Sequence, residues 1–577
     1  MSHAPARTPR FAPVRRAVLP LSALVLPLAV TSSAHAGSND GGPAGVHATV
    51  HAAPSSSPSS PSSPSSLQKS PPKSPPDSTW FSTIRVGERS AVTSPSGGDL
   101  WPSCWSDDGD LYAAHGDGRG FGPLPGTDIG VNRITGTPEQ DDLAGTLVAK
   151  GDQVGQIWSG AGYNRKPTGM ACVGGDLYLA VQDLKKHTFD SAPAATIARS
   201  TDHGRTWTWH TGEAMFADSV FTTIMFLDYG KGYADAVDGY VYAYGLDTNW
   251  RQQTDVYLGR VPRGRIQDRS AWEFYTGTRG GRATWSAEIG DRAPVIHDEE
   301  RVYPRVHEDG VHDKVLIAQG GVVYNKPLRR YLYTTWNAFQ WTIYDAPSPW
   351  GPWSKIRAKD FGVGWTQDKH GGYAPTIPSK FISADGRRMW VQSNVCGPCG
   401  AKPKTVYNFN LRELRVTPHV PSAPDNRKDA ARNLATDPGT TPYERVTRAG
   451  RTSIYNDGDL TASEDDWNNE VKNSSWWGYT WPRVRHVNEV RYTTGAMPSD
   501  GGWYARDLRV QVRRNGRWTD VQRSRTTPAY PYDRTAGPGR TYTFRFAPAV
   551  ADGVRVIGVP GGSHTFTSVA EVEVYYR

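Results

Sequence analysis

Basic side chains are nowhere concentrated in this chain, which removes one class of partner at the outset. The net charge is +8, but the first 78 residues carry six Lys/Arg against two acids, half of that total. The remainder is dispersed with no Lys/Arg block, whereas nucleic-acid binders carry a concentrated basic patch. No nucleic-acid partner is expected. A helical period of apolar residues is scarce, so a helix bundle is excluded. The chain has no serine nucleophile elbow, no phosphate-binding glycine loop and no HExxH, which removes the chemistries those motifs serve. Nothing calls for a cofactor or a metal. "IHDEERVYPRVHEDGVHD" holds His297, His307 and His312 among acids, but the spacings fit no familiar ligand pattern and read as a solvated loop. Beyond the N-terminus no segment is apolar enough to cross a bilayer.

The N-terminus has its own logic. Arg7, Arg10, Arg15 and Arg16 precede the apolar run "AVLPLSALVLPLAV", and Ala34 and Ala36 form an A-x-A site. This is the pattern of a secretory signal peptide over residues 1–36, cleaved after Ala36. Arg15-Arg16 matches the twin-arginine route only loosely. Residues 37–78 include "PSSSPSSPSSPSSLQKSPPKSPPDS", a Ser/Pro-rich spacer with almost nothing to bury. The mature protein is therefore expected outside the cell, off the membrane. There the four cysteines default to disulfides. "VCGPCG" copies a redox motif but sits between two β-type runs, so Cys396 and Cys399 read as a local loop-closing bridge. That leaves Cys104 with Cys172.

What the chain has in quantity is short aromatic strands between Gly/Asp/Asn/Pro turns, the pattern of an all-β protein. A turn followed by such a strand recurs five times: "DDGDLYAAHGD", "VGGDLYLAVQD", "VDGYVYAYGLD", "PLRRYLYTTWN" and "ADGRRMWVQSN". The spacing suits four-stranded blades and a five-bladed β-propeller over residues 79–417. Polar residues ending these strands, such as His115, Asp117, Gln182, Asp183, Trp336 and Asn394, would meet at a central funnel. "RSTDHGRTWTW" matches the S-x-D-x-G-x-T-W Asp box, in which Asp202 closes a turn and is structural. Residues 418–432 read as a linker, and 433–577 as a separate β-sandwich.

The segment "GGDLWPSCWSDDGDLYAAHGDGRGF" gathers five aspartates around one strand. A hairpin turning at "SDDGD" would return Asp117 to the end where Asp99 sits. Asp107, Asp108 and Asp110 would occupy the turn. Two carboxylates facing one cavity is what glycoside hydrolysis requires. Trp101 and Trp105 stand nearby as sugar-stacking surfaces. "GDG" at Asp117 reads equally as one more turn.

These residues resemble the T-D-L-G…G-D-T-F region of the secreted glycosidase family catalogued as domain of unknown function 4185, which includes endo-D-arabinanases. The resemblance continues through "FLDYGKGYADAVDGYVYAYG", "VVYNKPLRRYLYTTW" and "YAPTIPSKFISADGRRMWVQSN". It implies a five-bladed propeller that cleaves α-D-arabinofuranosyl linkages, with Asp117 as general acid and Asp99 as general base or nucleophile. Trp101, His115, Asp183, Tyr233, Tyr240, Trp336, Tyr373 and Asn394 form the expected substrate-binding set. The chain departs from the family with "GGDLWP" and "GDGRGF"; both aspartates survive, but the residues shaping the sugar pocket differ. The last domain resembles discoidin-type (coagulation factor 5/8 type C) sandwiches on "RNLATDPG", "WWGYTW" and "VAEVEVYY". Its Trp476, Trp477, Tyr479 and Trp481 would form either a sugar platform or the sandwich core. The expectation is a secreted glycoside hydrolase acting on extracellular furanose-containing polysaccharide. The alternatives are a non-catalytic lectin-like propeller and, more remotely, a sialidase using Arg199 or Arg260. Sequence does not give the oligomeric state.

Overall fold

The computed structural model describes residues 74–87, 90–247, 250–307, 314–337, 340–361, 371–396 and 406–577. The expected signal peptide, nearly all of the spacer, His312 and Cys399 lie outside them. Among the described residues regular structure is almost entirely strand, with only short 3-10 turns as helix.

The propeller is built from consecutive antiparallel units. In the first, Gly97–Asp99 and Ser103–Trp105 pair with Leu111–Gly120, followed by Thr127–Thr135 and Ala144–Lys150. The second runs Tyr163–Val173, Asp176–Lys185, Ala195–Ser200. The third begins Thr223–Asp228, Tyr240–Leu246, Asp255–Pro262, Glu273–Arg279. The fourth runs Gly321–Asn325, Arg330–Trp336, Gln340–Ala346, Ser354–Asp360, and a short parallel pairing joins its first strand to that of the third unit. The fifth, Tyr373–Thr376, Arg388–Asn394, Asn410–Pro418, takes Phe81–Val86 from the start of the fold as its outer strand. Closing the last unit with the first strand of the chain leaves few open sheet edges.

Each aromatic repeat falls on the second strand of its unit, not on the innermost. The first strands contact one another in succession, from Ser103–Trp105 to Tyr163–Val173, Thr223–Asp228, Gly321–Asn325 and Tyr373–Thr376. Axis-facing side chains therefore come mainly from the strand that precedes each repeat. The repeats carry the packing between layers, which is why they hold the aromatic residues and the stronger pattern. Cys104 and Cys172 are disulfide-bonded and tie the first unit to the second. Asp202 caps the Asp-box turn, accepting hydrogen bonds from Ser200 Oγ (2.8 Å) and Thr206 N (2.9 Å), while Trp207 Nε1 donates to the Gly204 carbonyl at 2.8 Å.

The C-terminal sandwich is one eight-stranded sheet system in which Ser475–Thr494 and Thr541–Pro560 are long strands shared between its faces. Trp477, Tyr479 and Trp481 are fully buried in its core. Of that aromatic set only Trp476 keeps partial exposure. The platform reading fails for the other three, because burial leaves them no open face.

Candidate active site

Asp99 ends the strand Gly97–Asp99, and its partner across the ladder is Gly116. The hairpin turning through Asp107–Asp110 therefore returns Asp117 to a position beside Asp99, one residue past its direct partner. A Cβ at Gly116 would fall 2.6 Å from Asp99 Oδ1, so a larger residue there would displace that carboxylate.

The backbone around the pair is strained. Asp117 itself has φ +34°, Leu100 +70°, Trp101 +51° and Ala374 +48°. Non-glycine residues with positive φ cost of order 1–3 kcal/mol each and cluster where geometry is over-determined for function.

Lys166 sits beside Asp117, near enough for its charge to act on Asp99 as well. It projects from Tyr163–Val173, is buried, and forms an ion pair with Asp117 Oδ1. Asp117 is half-exposed while Asp99 is buried. Asp99 Oδ2 accepts from Tyr373 Oη at 2.6 Å and Tyr407 Oη at 3.0 Å. Its Oδ1 has no hydrogen-bond partner among the described residues. Burial pushes the Asp99 carboxyl up; the Lys166 ammonium pulls it back and the Asp117 charge pushes it up again, leaving it above the ordinary carboxylate range. The Tyr373 hydroxyl is pushed well above the usual phenol range by burial and by Asp99, so it acts as a fixed donor. Around Lys166, Gln182 Nε2 and Gln319 Oε1 are also buried without a partner. Gln182 is the ladder partner of Lys166, and Gln319 Nε2 donates to the Pro167 carbonyl at 3.2 Å. Unpaired buried donors and acceptors thus lie along the strand that carries Lys166.

Of the expected binding set, Tyr373 and Trp336 belong to this site. Tyr373 touches Asp99, and its ring packs 5.7 Å from Trp336 and 5.7 Å from Trp250. Asn394 supports it from below, donating to the Val406 carbonyl at 3.1 Å and the Asn408 carbonyl at 2.9 Å. Asp183 is buried behind Lys166 and holds the adjoining loop by accepting from Trp158 N (2.8 Å) and Ser159 N (2.6 Å).

Four residues are corrected. Trp101 is fully buried, donates Nε1 to the Gly98 carbonyl at 2.9 Å and packs on His115, Phe121 and Phe409. It is floor, not platform. His115 is buried beside it, with Nδ1 2.8 Å from Asn132 Nδ2. Burial pulls its pKa down to about 4, which keeps it neutral and structural. Tyr233 and Tyr240 lie at the wrong end of the third unit. Thr223 marks the site end, through its 2.7 Å hydrogen bond to Gln182 Oε1. The strand leads away from Thr223 to Asp228, roughly 17 Å at the usual rise. Tyr240 begins the antiparallel strand whose other end, Leu246, faces Thr223. Tyr233 is buried in that far-end core.

Sequence reasoning missed Lys166, Tyr407, Gln319 and Trp250. None sits in a motif; only strand pairing and the closure of the fifth unit bring them in. In the histidine-rich segment His297 contacts Asp255 (2.8 Å) and Glu299 (3.3 Å), and His307 contacts Thr565 at 2.8 Å.

Comparison with known proteins bears on the two halves separately. No curated protein matches the sequence. Among solved structures, the "putative hydrolase from Bacteroides ovatus ATCC 8483" shares 14% identity over 57% of this chain and 87% of its own, at a TM-score of 0.34. The family 32 CBM from C. perfringens NanJ in complex with galactose shares 18% identity over 24% of this chain and 93% of its own, TM-score 0.19. Chitosan-binding module 1 from a Paenibacillus sp. IK-5 chitosanase/glucanase shares 25% identity over 25% and 98%, TM-score 0.19. The family model described as domain of unknown function (DUF4185) matches residues 94–393. That span is just over half of the chain and contains Asp99, Asp117, Lys166 and Tyr373, and by it the protein belongs to this family.

Proposed function

We propose that the protein is a secreted glycoside hydrolase that cleaves furanose-containing polysaccharide, specifically α-D-arabinofuranosyl linkages, with Asp99 and Asp117 as its acid/base pair. The observation that carries this reading is the juxtaposition of a buried carboxyl with raised pKa and a half-exposed carboxylate paired to a buried lysine. Two neighbouring carboxyl groups in unlike environments, one desolvated and one open to solvent, are how one site supplies both an acid and a base.

The electrostatics favour the reverse of the roles implied by family resemblance. Asp99, desolvated and held by two tyrosines, suits the general acid that protonates the leaving oxygen. Asp117, ion-paired with Lys166 and half-exposed, suits the base or nucleophile. Trp250 and Trp336, both buried, pack against Tyr373 and hold it on Asp99. The α-D-arabinofuranosyl specificity comes from the resemblance of the sequence motifs alone.

Digestion of a panel of arabinans and galactans, with product sizing, tests the reading. Release of oligosaccharides from D-arabinan by the full chain, lost in Asp99→Asn and in Asp117→Asn, supports it. Binding without cleavage by the unaltered chain would instead make it a lectin-like propeller.

A further inference from the structure

A cavity lies away from the aspartate pair, with no residue of that pair in its lining. It has a volume of about 590 Å³ and opens between the propeller and the sandwich, bounded by the strand Phe81–Val86, the strand Ser354–Asp360 and the segment 441–447. This is within the size range of small-molecule sites and far above a packing void. Its frame is fixed: Arg513 Nη2 donates to the Ser82 carbonyl at 2.9 Å, and Asn468 Nδ2 to Tyr303 Oη at 2.5 Å, both across the two domains.

The lining is unusual in its unmet hydrogen-bonding capacity. Ser82, Thr447, Glu470 and Trp476 all line the cavity, and in each one polar atom, Ser82 Oγ, Thr447 Oγ1, Glu470 Oε2 or Trp476 Nε1, is buried with no partner among the described residues. Ser82, Thr447 and Glu470 are each no more than 3% exposed. A buried polar group left unpaired is costly, so four among the residues of one cavity call for a ligand or ordered solvent. The set is mixed: one obligate donor (the indole N–H), one acceptor (the carboxylate oxygen) and two hydroxyls that serve as either.

That mixture selects the ligand class. An anion needs spare positive charge, but four of the lining cations are matched by carboxylates, Lys355 with Asp298 and Glu300, Arg357 with Glu300, Arg445 with Glu470 and Arg513 with Asp552, and Arg555 donates to Gln511 Oε1. A polyol presents donors and acceptors in alternation, as this lining requires. Half-buried aromatic surface is present as well. Tyr443 stacks on Trp518 at 5.0 Å and on Trp476 at 6.0 Å, and the Arg555 guanidinium lies 4.4 Å from the Trp518 ring. We infer that the interdomain cavity is a second saccharide site, taking a short neutral oligosaccharide independently of the aspartate pair. The inference does not depend on the hydrolase reading.

The test is isothermal titration of the full chain carrying Asp99→Asn, so that no probe is consumed. Arabinotetraose and cellotetraose are the neutral probes and tetragalacturonate the acidic one; Trp fluorescence gives a second readout. The expected result is binding of a neutral probe that Thr447→Val, Glu470→Gln and Trp518→Ala each weaken by about tenfold or more, with unchanged melting. Trp518→Ala, a partly exposed position, covers the case in which a buried substitution disturbs folding. Equal affinity and stoichiometry in all three variants would overturn the proposal, as would no neutral probe binding at millimolar concentration, the cavity then holding solvent only. Preference for tetragalacturonate would overturn the ligand class. Hydrolysis, read separately on chains with Asp99 intact, fails or succeeds independently.

Discussion

Tyr373, on the first strand of the fifth unit, donates a 2.6 Å hydrogen bond to Asp99, on the first strand of the first. This contact joins the fifth unit to the first at Asp99. It also favours the ionised carboxyl, holding down a pKa that burial raises.

Removing that donor therefore has a defined sign. In Tyr373→Phe the Asp99 pKa moves further up, so the alkaline limb of kcat/KM, which reports loss of the general acid's proton, shifts to higher pH. Activity at the optimum falls about tenfold or more, the usual cost of a charge-assisted hydrogen bond. A pH–rate profile with no movement of that limb would remove Asp99 from the acid role.

Lys166→Met acts on both carboxyls. The ammonium lowers the Asp99 pKa and pairs with Asp117. Its loss is expected to shift the alkaline limb the same way and to cut kcat more than Tyr373→Phe does, because the base loses its counter-ion as well. Comparing kcat and the limb position in the two variants checks the ordering.

The raised Asp99 pKa is also a stability statement. A carboxyl whose folded pKa lies above its unfolded value gives its full stabilisation below the unfolded pKa and loses it as pH rises through the folded one. At neutral pH Asp99 therefore destabilises the fold. Asp99→Asn should raise Tm at pH 7, by about 2–4 °C per kcal/mol regained, with the gain vanishing near pH 4. Scanning calorimetry at the two pH values reads it.

Asp202 behaves oppositely. Hydrogen bonds from Thr206 and Ser200 outweigh the upward effect of burial and bring its pKa down to about 2. Its contribution is present above the unfolded value near 3.8 and is lost as pH falls toward 2. Asp202→Ala should cost about 1–2 kcal/mol by loss of these bonds, leaving kcat on soluble substrate unchanged at temperatures below melting.

Closing a loop of 68 residues, the Cys104–Cys172 disulfide should stabilise the propeller by about 4 kcal/mol in the chain-entropy account. Both cysteines are buried, so reductant alone should act slowly. Cys104→Ala with Cys172→Ala should lower the urea midpoint without altering KM.

Local pattern carried much of this molecule. Strand alternation and turn chemistry mark the all-β architecture, and the repeats mark one strand per unit. The hairpin argument places Asp117 beside Asp99 because a ladder's register follows from where it turns. Trp101 and His115 were misread because an aromatic beside a catalytic residue serves equally as floor or platform, and only burial separates the two. Tyr233 and Tyr240 were misread because a motif fixes sequence neighbours but not which end of a strand faces the site. Lys166, Tyr407, Gln319 and Trp250 were invisible because their role exists only after distant units close into a ring. The unpaired atoms between the two domains belong to that same category.

The central claim is that two carboxyls, one buried and one lysine-paired, divide acid and base work at one site. Initial rates on D-arabinan for Asp99→Asn and Asp117→Asn test it most directly. The expected result is a fall in kcat of about 10²–10⁴-fold in each, with oligosaccharide binding retained. Wild-type rates in either variant would contradict it.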